Sequence, residues 1–303
     1  MKNLFLYSLL ILCSFTNCDY VDNPIPEQYA MDWSLYPDAD TSTYPWPNWT
    51  NNNNTIRKIL LEDFTGVRCT ACPDAHDEAD QIEASNNGRV IIATIHASCT
   101  GDLQYPDGTY MDLQTNAGTE YSCDIPGFYF NPMGLINRKG VGFIGSLWIL
   151  DGDWPNEVNN QLSDPLLANI QLEYNYYPET NGLFVHTETE FKSSLNGEYN
   201  LIMYLIRDTI VGAQKTTNPA PNEVVYDYPH HSVLTDNING TWGTTISSGA
   251  VNNGDKFYNN YTYQLTDPTV DSTFNINNLS LITYVCERNT FEIIQVEKTK
   301  LAP

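Results

Sequence analysis

The chain has 303 residues, and 37 acidic side chains against 14 Lys and Arg leave a formal charge of −23. A surface of that sign repels nucleic acid and anionic headgroups, so neither is expected as a partner. The length suffices for two domains with cores of their own, and the acidity speaks to solubility rather than activity.

Residues 1–18 carry the pattern of an export signal: Lys2, an apolar run from Leu4 to Leu12, then Ser14-Phe15-Thr16-Asn17-Cys18. The run is too short to span a bilayer. A cysteine directly after such a run, followed by a polar stretch, resembles a lipoprotein signal with Cys18 as the lipid-modified first residue. Asn17 and Phe15 stand where such signals usually carry a small residue and Leu, and simple secretion is the alternative. Residues 19–55 are rich in Pro, Asp, Thr, Asn and Tyr without a period, and are expected to be a polar tether. Its Trp46/Trp49 pair is expected to dock on the folded body, because lone exposed aromatics are unusual.

From Arg57 the grammar becomes strand, helix, strand. Lys58–Phe64 predicts a strand, Pro73–Asn86 a helix, and the β-branched run Arg89–His96 a buried strand of a parallel βαβ unit. Between the first two lies Cys69-Thr70-Ala71-Cys72-Pro73. A C-x-x-C where a strand gives way to a helix is how thioredoxin-like folds present a redox pair. There the helix dipole and unpaired N–H groups favour a thiolate. Cys99 and Cys123 flank the polar loop Thr100–Ser122 and could staple it as a structural disulfide. Pro132, ahead of Leu135-Ile136, occupies the place where thioredoxin-like folds set a cis-proline beside the redox pair. Val141–Ile144 is a further strand candidate. A closing helix begins at Asp153-Trp154-Pro155, with Pro155 in its first turn.

After Pro165 the pattern changes. Leu166–Tyr174, Leu183–Phe191, Tyr199–Arg207, Lys256–Leu265, Leu281–Glu287 and Phe291–Lys298 read as strands parted by Asn/Gly turns, which argues for a β-sandwich of the Ig-like kind. Tyr199, Leu201, Met203 and Leu205 alternate with Asn200, Ile202, Tyr204 and Ile206, so both faces are apolar and the strand is expected to be central. Cys286 falls in an apolar strand, where a buried, inert thiol is expected. His186 and the pair His230-His231 receive no role, the pair reading as a strand edge.

Two motifs together, Glu62-Asp63-Phe64-Thr65-Gly66 leading into Cys69-x-x-Cys72-Pro73, and Asn131-Pro132-x-Gly134-x-Ile136-Asn137-Arg138, resemble the 28-kilodalton outer-membrane-protein family of lipoproteins from Bacteroides-type bacteria. The resemblance covers most of the chain after the tether and is weaker in the C-terminal half, around Thr241-Trp242-Gly243. It implies an outer-membrane lipoprotein with a thioredoxin-like domain followed by a β-rich domain, and a surface role of receptor or adhesin kind. Similarity to thioredoxin itself implies roles for four residues: Cys69 as nucleophile, Cys72 as resolving thiol, Asp63 as proton acceptor and Pro132 as the shaper of a substrate groove. Exchange would run through a mixed disulfide on Cys69. The family's usual aromatic residue before the first cysteine is Arg68 here, and Arg68 is expected to stabilise a Cys69 thiolate.

The expected organisation is therefore α/β plus all-β: signal 1–18, tether 19–55, thioredoxin-like domain 56–165 and β-sandwich 166–303. The leading function is an accessory or binding protein, held to the outer membrane by lipid on Cys18, that recognises another envelope or extracellular protein. The alternative is an extracytoplasmic thiol–disulfide oxidoreductase using Cys69 and Cys72. A minor alternative is Cu or Zn binding, because Cys69, Cys72, His76, His96 and Cys99 lie at strand ends that a parallel sheet brings to one edge. No metal ligand is assigned and no cofactor is expected. An enzyme needs the Cys69 sulfur accessible beside a cis Pro132; a binding scaffold can bury it under the Thr100–Ser122 loop.

Overall fold

A computed structural model of the protein describes residues 31–38, 40–217 and 223–303. The expected export signal, residues 1–18 with Cys18, lies outside the described residues. The first apolar run forms β1, Ile59–Thr65, fully buried along its length. Helix α1, Cys72–Ser85, follows with Pro73 in its first turn, where a missing N–H costs nothing. It returns to β2, Val90–His96, which pairs parallel with β1 from Ile59↔Val90 to Thr65↔His96. Helix α2 spans Asn116–Asp124, its first turn capped by the Thr115 hydroxyl accepting from Gly118 N–H. Strand β3, Met133–Ile136, runs antiparallel to β1, and helix α3 spans Trp154–Gln161.

The strand expected over Val141–Ile144 is not one. Gly142 N–H bonds back to Ser146, and Ile144 takes a positive φ of 53°, so this stretch is a tight turn.

The remaining elements are β4, Ala168–Tyr177; β5, Gly182–Phe191; β6, Leu195–Lys215; β7, Val224–Asn237; β8, Thr244–Val251; β9, Lys256–Gln264; β10, Leu279–Glu287; and β11, Ile293–Lys300. The chain is thus a mixed α/β protein dominated by strands. One eight-stranded sheet runs β11-β10-β6-β7-β2-β1-β3, with β8 also pairing with β6, and a three-stranded sheet runs β4-β5-β9. Strands from both halves of the chain share the larger sheet. They meet where β7 pairs parallel with β2 at a single position, Thr94↔Val233.

Side-chain alternation sets the layers. Ile59, Leu61, Val90 and Ile92 face Ala75, Ala79 and Ile82 of α1 and Trp154 and Val158 of α3. The opposite face, with Leu60, Phe64, Ile91 and Ile95, shares a core with Ile202, Tyr204 and Ile206 of β6 and Ile282 and Tyr284 of β10. The alternate residues of β6 and β10 (Leu201, Met203, Leu205, Leu281 and Val285) pack on Ala168, Ile170, Leu183, Val185 and Tyr261 of the smaller sheet. Strand β6 is central, as its two apolar faces require. Each fully buried Ile, Leu or Phe contributes about 1.5–3 kcal/mol to this stack.

Residues 31–55 carry no long element but lie on the smaller sheet. Trp33, Tyr36 and Tyr44 pack around Phe184 and Tyr177. Trp46 stacks at 5.4 Å from His186, and Trp49 at 6.3 Å from Tyr258.

Candidate functional site

The C-x-x-C turn sits between β1 and α1. Cys69 N–H donates to Gly66 O at 2.9 Å, and Cys72 opens the helix. The two sulfurs are joined in a disulfide, with Cα atoms 5.4 Å apart. Neither cysteine faces solvent: Cys69 is 3% exposed and Cys72 0%.

The cover comes from two directions. The end of the β6–β7 hairpin lies along the turn, where Lys215 N–H donates to Val67 O at 2.9 Å and Thr217 N–H to Thr70 O at 3.2 Å. Gln214, itself fully buried, donates from Nε2 to Cys69 O at 2.9 Å and Gly66 O at 3.2 Å. Val67 packs with Ile210, Ala213 and Val233 of the hairpin and with Tyr110 and Leu113. From the other side the loop after Cys99 closes in. Leu103 O accepts Arg68 N–H at 2.9 Å, and buried Gln104 donates to Thr65 O at 2.7 Å and Asn131 Oδ1 at 2.9 Å. Gly66 permits this approach, because a Cβ there would lie 2.6 Å from Leu103 O. The Asn131–Pro132 peptide is cis.

The role expected of Arg68 needs correction. Its guanidinium pairs with Asp107, donates to Tyr105 O at 2.9 Å, and lies over the Tyr110 ring at 4.9 Å. Its charge is committed to the covering loop rather than to Cys69.

Asp63 is fully buried, and burial raises its carboxyl well above the usual range. Its Oδ2 lies 3.2 Å from His76 Nε2. His76 also contacts the Thr65 hydroxyl at 3.0 Å and the Tyr228 hydroxyl at 2.9 Å. Burial pushes His76 down to about 3. His96 and His230 stack edge to face at 5.3 Å, both buried, and burial lowers both, His230 to about 4. His230 is therefore an interior residue of β7 rather than an edge. A cavity of about 110 Å³ beside this group is lined by Asp63, His76, Asp80, Tyr228 and His231.

The five residues considered for a metal do not provide a thiolate set. Cys69 is bonded to Cys72 and Cys99 to Cys123, and no group of three or more His, Cys, Asp or Glu is placed to hold a metal among the described residues. The Cys99–Cys123 bond is exposed at both ends, unlike Cys69–Cys72. Among the described residues Cys286 is the free cysteine; it is buried, and burial pushes its thiol up to about 11.

A second constellation came from the motif residues. Asn137 and Arg138 both take positive φ, 47° and 49°, at the end of β3. The bend sends Arg138 inward to a bidentate pair with Glu62, at 2.8 and 2.7 Å. Tyr204 and Tyr284 accept from Arg138 Nη2 at 2.9 and 3.0 Å, and the Tyr121 ring lies 4.4 Å away. Nothing local in the sequence reveals Gln104, Gln214, Tyr204 or Tyr228 as partners of these motifs, since each acts from a distant segment.

Fold and site together define a strand-dominated α/β protein with an enclosed C-x-x-C disulfide. The model of the Omp28 outer membrane protein family matches residues 127–303, more than half of the chain. The chain belongs to that family and is accordingly an outer-membrane protein. The matched region starts beyond the C-x-x-C, so membership rests on β3, Arg138 and the C-terminal strands. Among solved structures, HBP35 of Porphyromonas gingivalis is similar in fold, with 14% identity and TM-score 0.58 over 82% of this chain and 77% of that one. A domain of the outer membrane lipoprotein Omp28 from Porphyromonas gingivalis aligns over 45% of this chain and 89% of its own, at 22% identity and TM-score 0.30. No curated protein sequence matches the chain. No helix among the described residues is long and apolar enough to cross a membrane.

Proposed function

We propose that this outer-membrane protein is a lipid-anchored accessory protein, held by Cys18, that binds another envelope or extracellular protein. On this reading residues 56–165 are a thioredoxin-like domain retained as a scaffold, and residues 166–303 are a β-sandwich that carries recognition. The C-x-x-C is then a structural clip. One observation carries the reading: Cys69 is only 3% exposed and Cys72 fully buried, beneath the β6–β7 hairpin and the Leu103 loop. An exchanging disulfide needs in-line attack by an external thiolate on an accessible sulfur.

The test is equilibration of the folded full-length protein with glutathione buffers, followed by mass mapping of each thiol. A Cys69–Cys72 pair that resists reduction, or titrates below about −300 mV, fits a clip. A potential of roughly −120 to −270 mV with Cys69 trapped as a mixed disulfide refutes it in favour of the oxidoreductase. The oxidoreductase reading draws on Asp63, a buried carboxyl whose affinity for a proton is raised by burial, as suits a proton acceptor.

A further inference from the structure

The molecule holds two disulfides in opposite environments. Cys69–Cys72 is enclosed, whereas Cys99 and Cys123 both present their side chains at the surface. Cys99 lies three residues beyond the end of β2, and Cys123 lies in the last turn of α2. The bond therefore closes the segment between them into a loop with 24 positions of separation. That loop is half of the cover over the C-x-x-C. It supplies Leu103 O to Arg68 N–H, Gln104 Nε2 to Thr65 O, and Tyr110 and Leu113 to the Val67 cluster. Arg68 reaches back to it through Asp107 and the Tyr105 carbonyl.

We propose that Cys99–Cys123 is a thiol–disulfide exchange site for small thiols of the glutathione class, and that its state decides whether the enclosed Cys69–Cys72 bond can be reached. The proposal rests on the reading of Cys69–Cys72 as an enclosed bond. Access separates the two disulfides: thiolate attack needs an open approach along the S–S axis, and exposed bonds are the labile ones.

The chemistry balances with two thiols. The thiolate of the first attacks one sulfur of the pair, forming a mixed disulfide while the Cys99–Cys123 bond breaks. The departing cysteine leaves as a thiolate and takes a proton from water. A second thiol attacks the mixed disulfide, yielding the oxidised small-molecule disulfide and the other free cysteine. Two electrons pass from the small thiols to the protein.

With the bond open, the loop keeps its contacts to Gly66–Arg68 but loses its fastening at the α2 end. Opening of this half of the cover then needs the loop's hydrogen bonds, the Arg68–Asp107 pair and the packing of Tyr110 and Leu113 on Val67 to give way, without the covalent tie to hold them. Reduction at the surface thus precedes, and permits, attack on the enclosed pair.

The experiment uses the folded full-length protein and reduced glutathione, quenched at intervals with N-ethylmaleimide and mapped by peptide mass. Cys99 and Cys123 are expected to become labelled at least tenfold faster than Cys69 and Cys72. In a second step, protein opened and capped at Cys99 and Cys123 is returned to glutathione, and the Cys69–Cys72 rate is expected to rise at least tenfold. Capping the native protein avoids a variant that fails to fold. If Cys69–Cys72 opens first or at an equal rate, this proposal and the clip reading fall together. If neither bond opens, this proposal alone falls. An unchanged Cys69–Cys72 rate after capping overturns the gating role.

Discussion

Arg138 and Glu62 form a bidentate ion pair, Nε to Oε2 at 2.8 Å and Nη2 to Oε1 at 2.7 Å, and neither side chain reaches solvent. Such a pair owes its stability to complete satisfaction, here through the Tyr204 hydroxyl donating to Glu62 Oε1 at 2.8 Å and the Tyr284 hydroxyl accepting from Arg138. Arg138→Met leaves the Glu62 charge buried alone and is expected to cost about 3–5 kcal/mol. Glu62→Leu alone behaves alike, while the double variant costs clearly less than the two losses added. Urea denaturation across the four-member cycle checks this. Additive losses would show that the two residues act independently.

Gln214 is the hairpin's polar grip on the C-x-x-C turn, donating to Cys69 O, Gly66 O and Lys215 O. Gln214→Leu keeps the bulk and strands these buried carbonyls, at about 1–3 kcal/mol. Because the loss falls on the contact between hairpin and turn, local opening becomes easier. Glutathione-driven opening of Cys69–Cys72 is expected to quicken about tenfold for each 1.4 kcal/mol lost. An unchanged rate would remove the hairpin as the barrier.

The histidines make stability fall on the acid side. His76 is held down to about 3 and His230 to about 4, while an unfolded histidine titrates near 6.5. A folded pKa below the unfolded one means the unfolded chain binds more protons. Stability is therefore complete above about pH 6.5 and lost as pH falls toward 4. Asp63 works the other way: its folded pKa is raised, so its share is complete below the unfolded value near 3.8 and lost as pH climbs through the folded one. Between pH 6.5 and 4 each such histidine contributes a slope of up to about 1.4 kcal/mol per pH unit. His230→Gln should flatten the urea-midpoint profile by about one proton in this window. A profile as steep as that of the parent chain would mean His230 protonates without cost.

The Cys99–Cys123 bond also restrains the unfolded chain. Closing a loop of this length, 24 positions of separation, is worth about 3–4 kcal/mol in chain entropy. The double variant Cys99→Ser, Cys123→Ser is expected to lose stability of that order in thermal and urea melts. A loss below about 1 kcal/mol would assign the bond no structural role.

Much of the N-terminal half was legible because its signals are local. The β-branched run of β2, the Pro at the start of α1 and the C-x-x-C all lie within one βαβ unit. Strand β7 was legible only as a strand edge at His230-His231, not as an interior strand. It contains Tyr228-Pro229-His230-His231, and proline inside an apolar run argues against a strand. Strand β8, with Ser247-Ser248-Gly249 at its centre, lacks an apolar run altogether. The loop half of the cover over Cys69 was expected from the Thr100–Ser122 segment, but the hairpin half was hidden, since Gln214 stands 145 positions away. Arg68 was misjudged through proximity: its neighbour in sequence is Cys69, but Asp107, 39 positions on, takes its charge.

The Glu62–Arg138 pair carries a consequence for inheritance. Glu62 sits on β1, Arg138 just after β3, and the tyrosines that complete the pair on β6 and β10. A recombination event that replaced everything after the first hundred and sixty residues would keep the two charges and discard both hydroxyls. The descendants would carry a buried ion pair short of its partners, so selection should hold both ends of the gene to a shared ancestry. Gene fusions that shuffle freely exchangeable modules should be rare in this lineage, with Tyr204 and Tyr284 travelling alongside Glu62 and Arg138 as one heritable set.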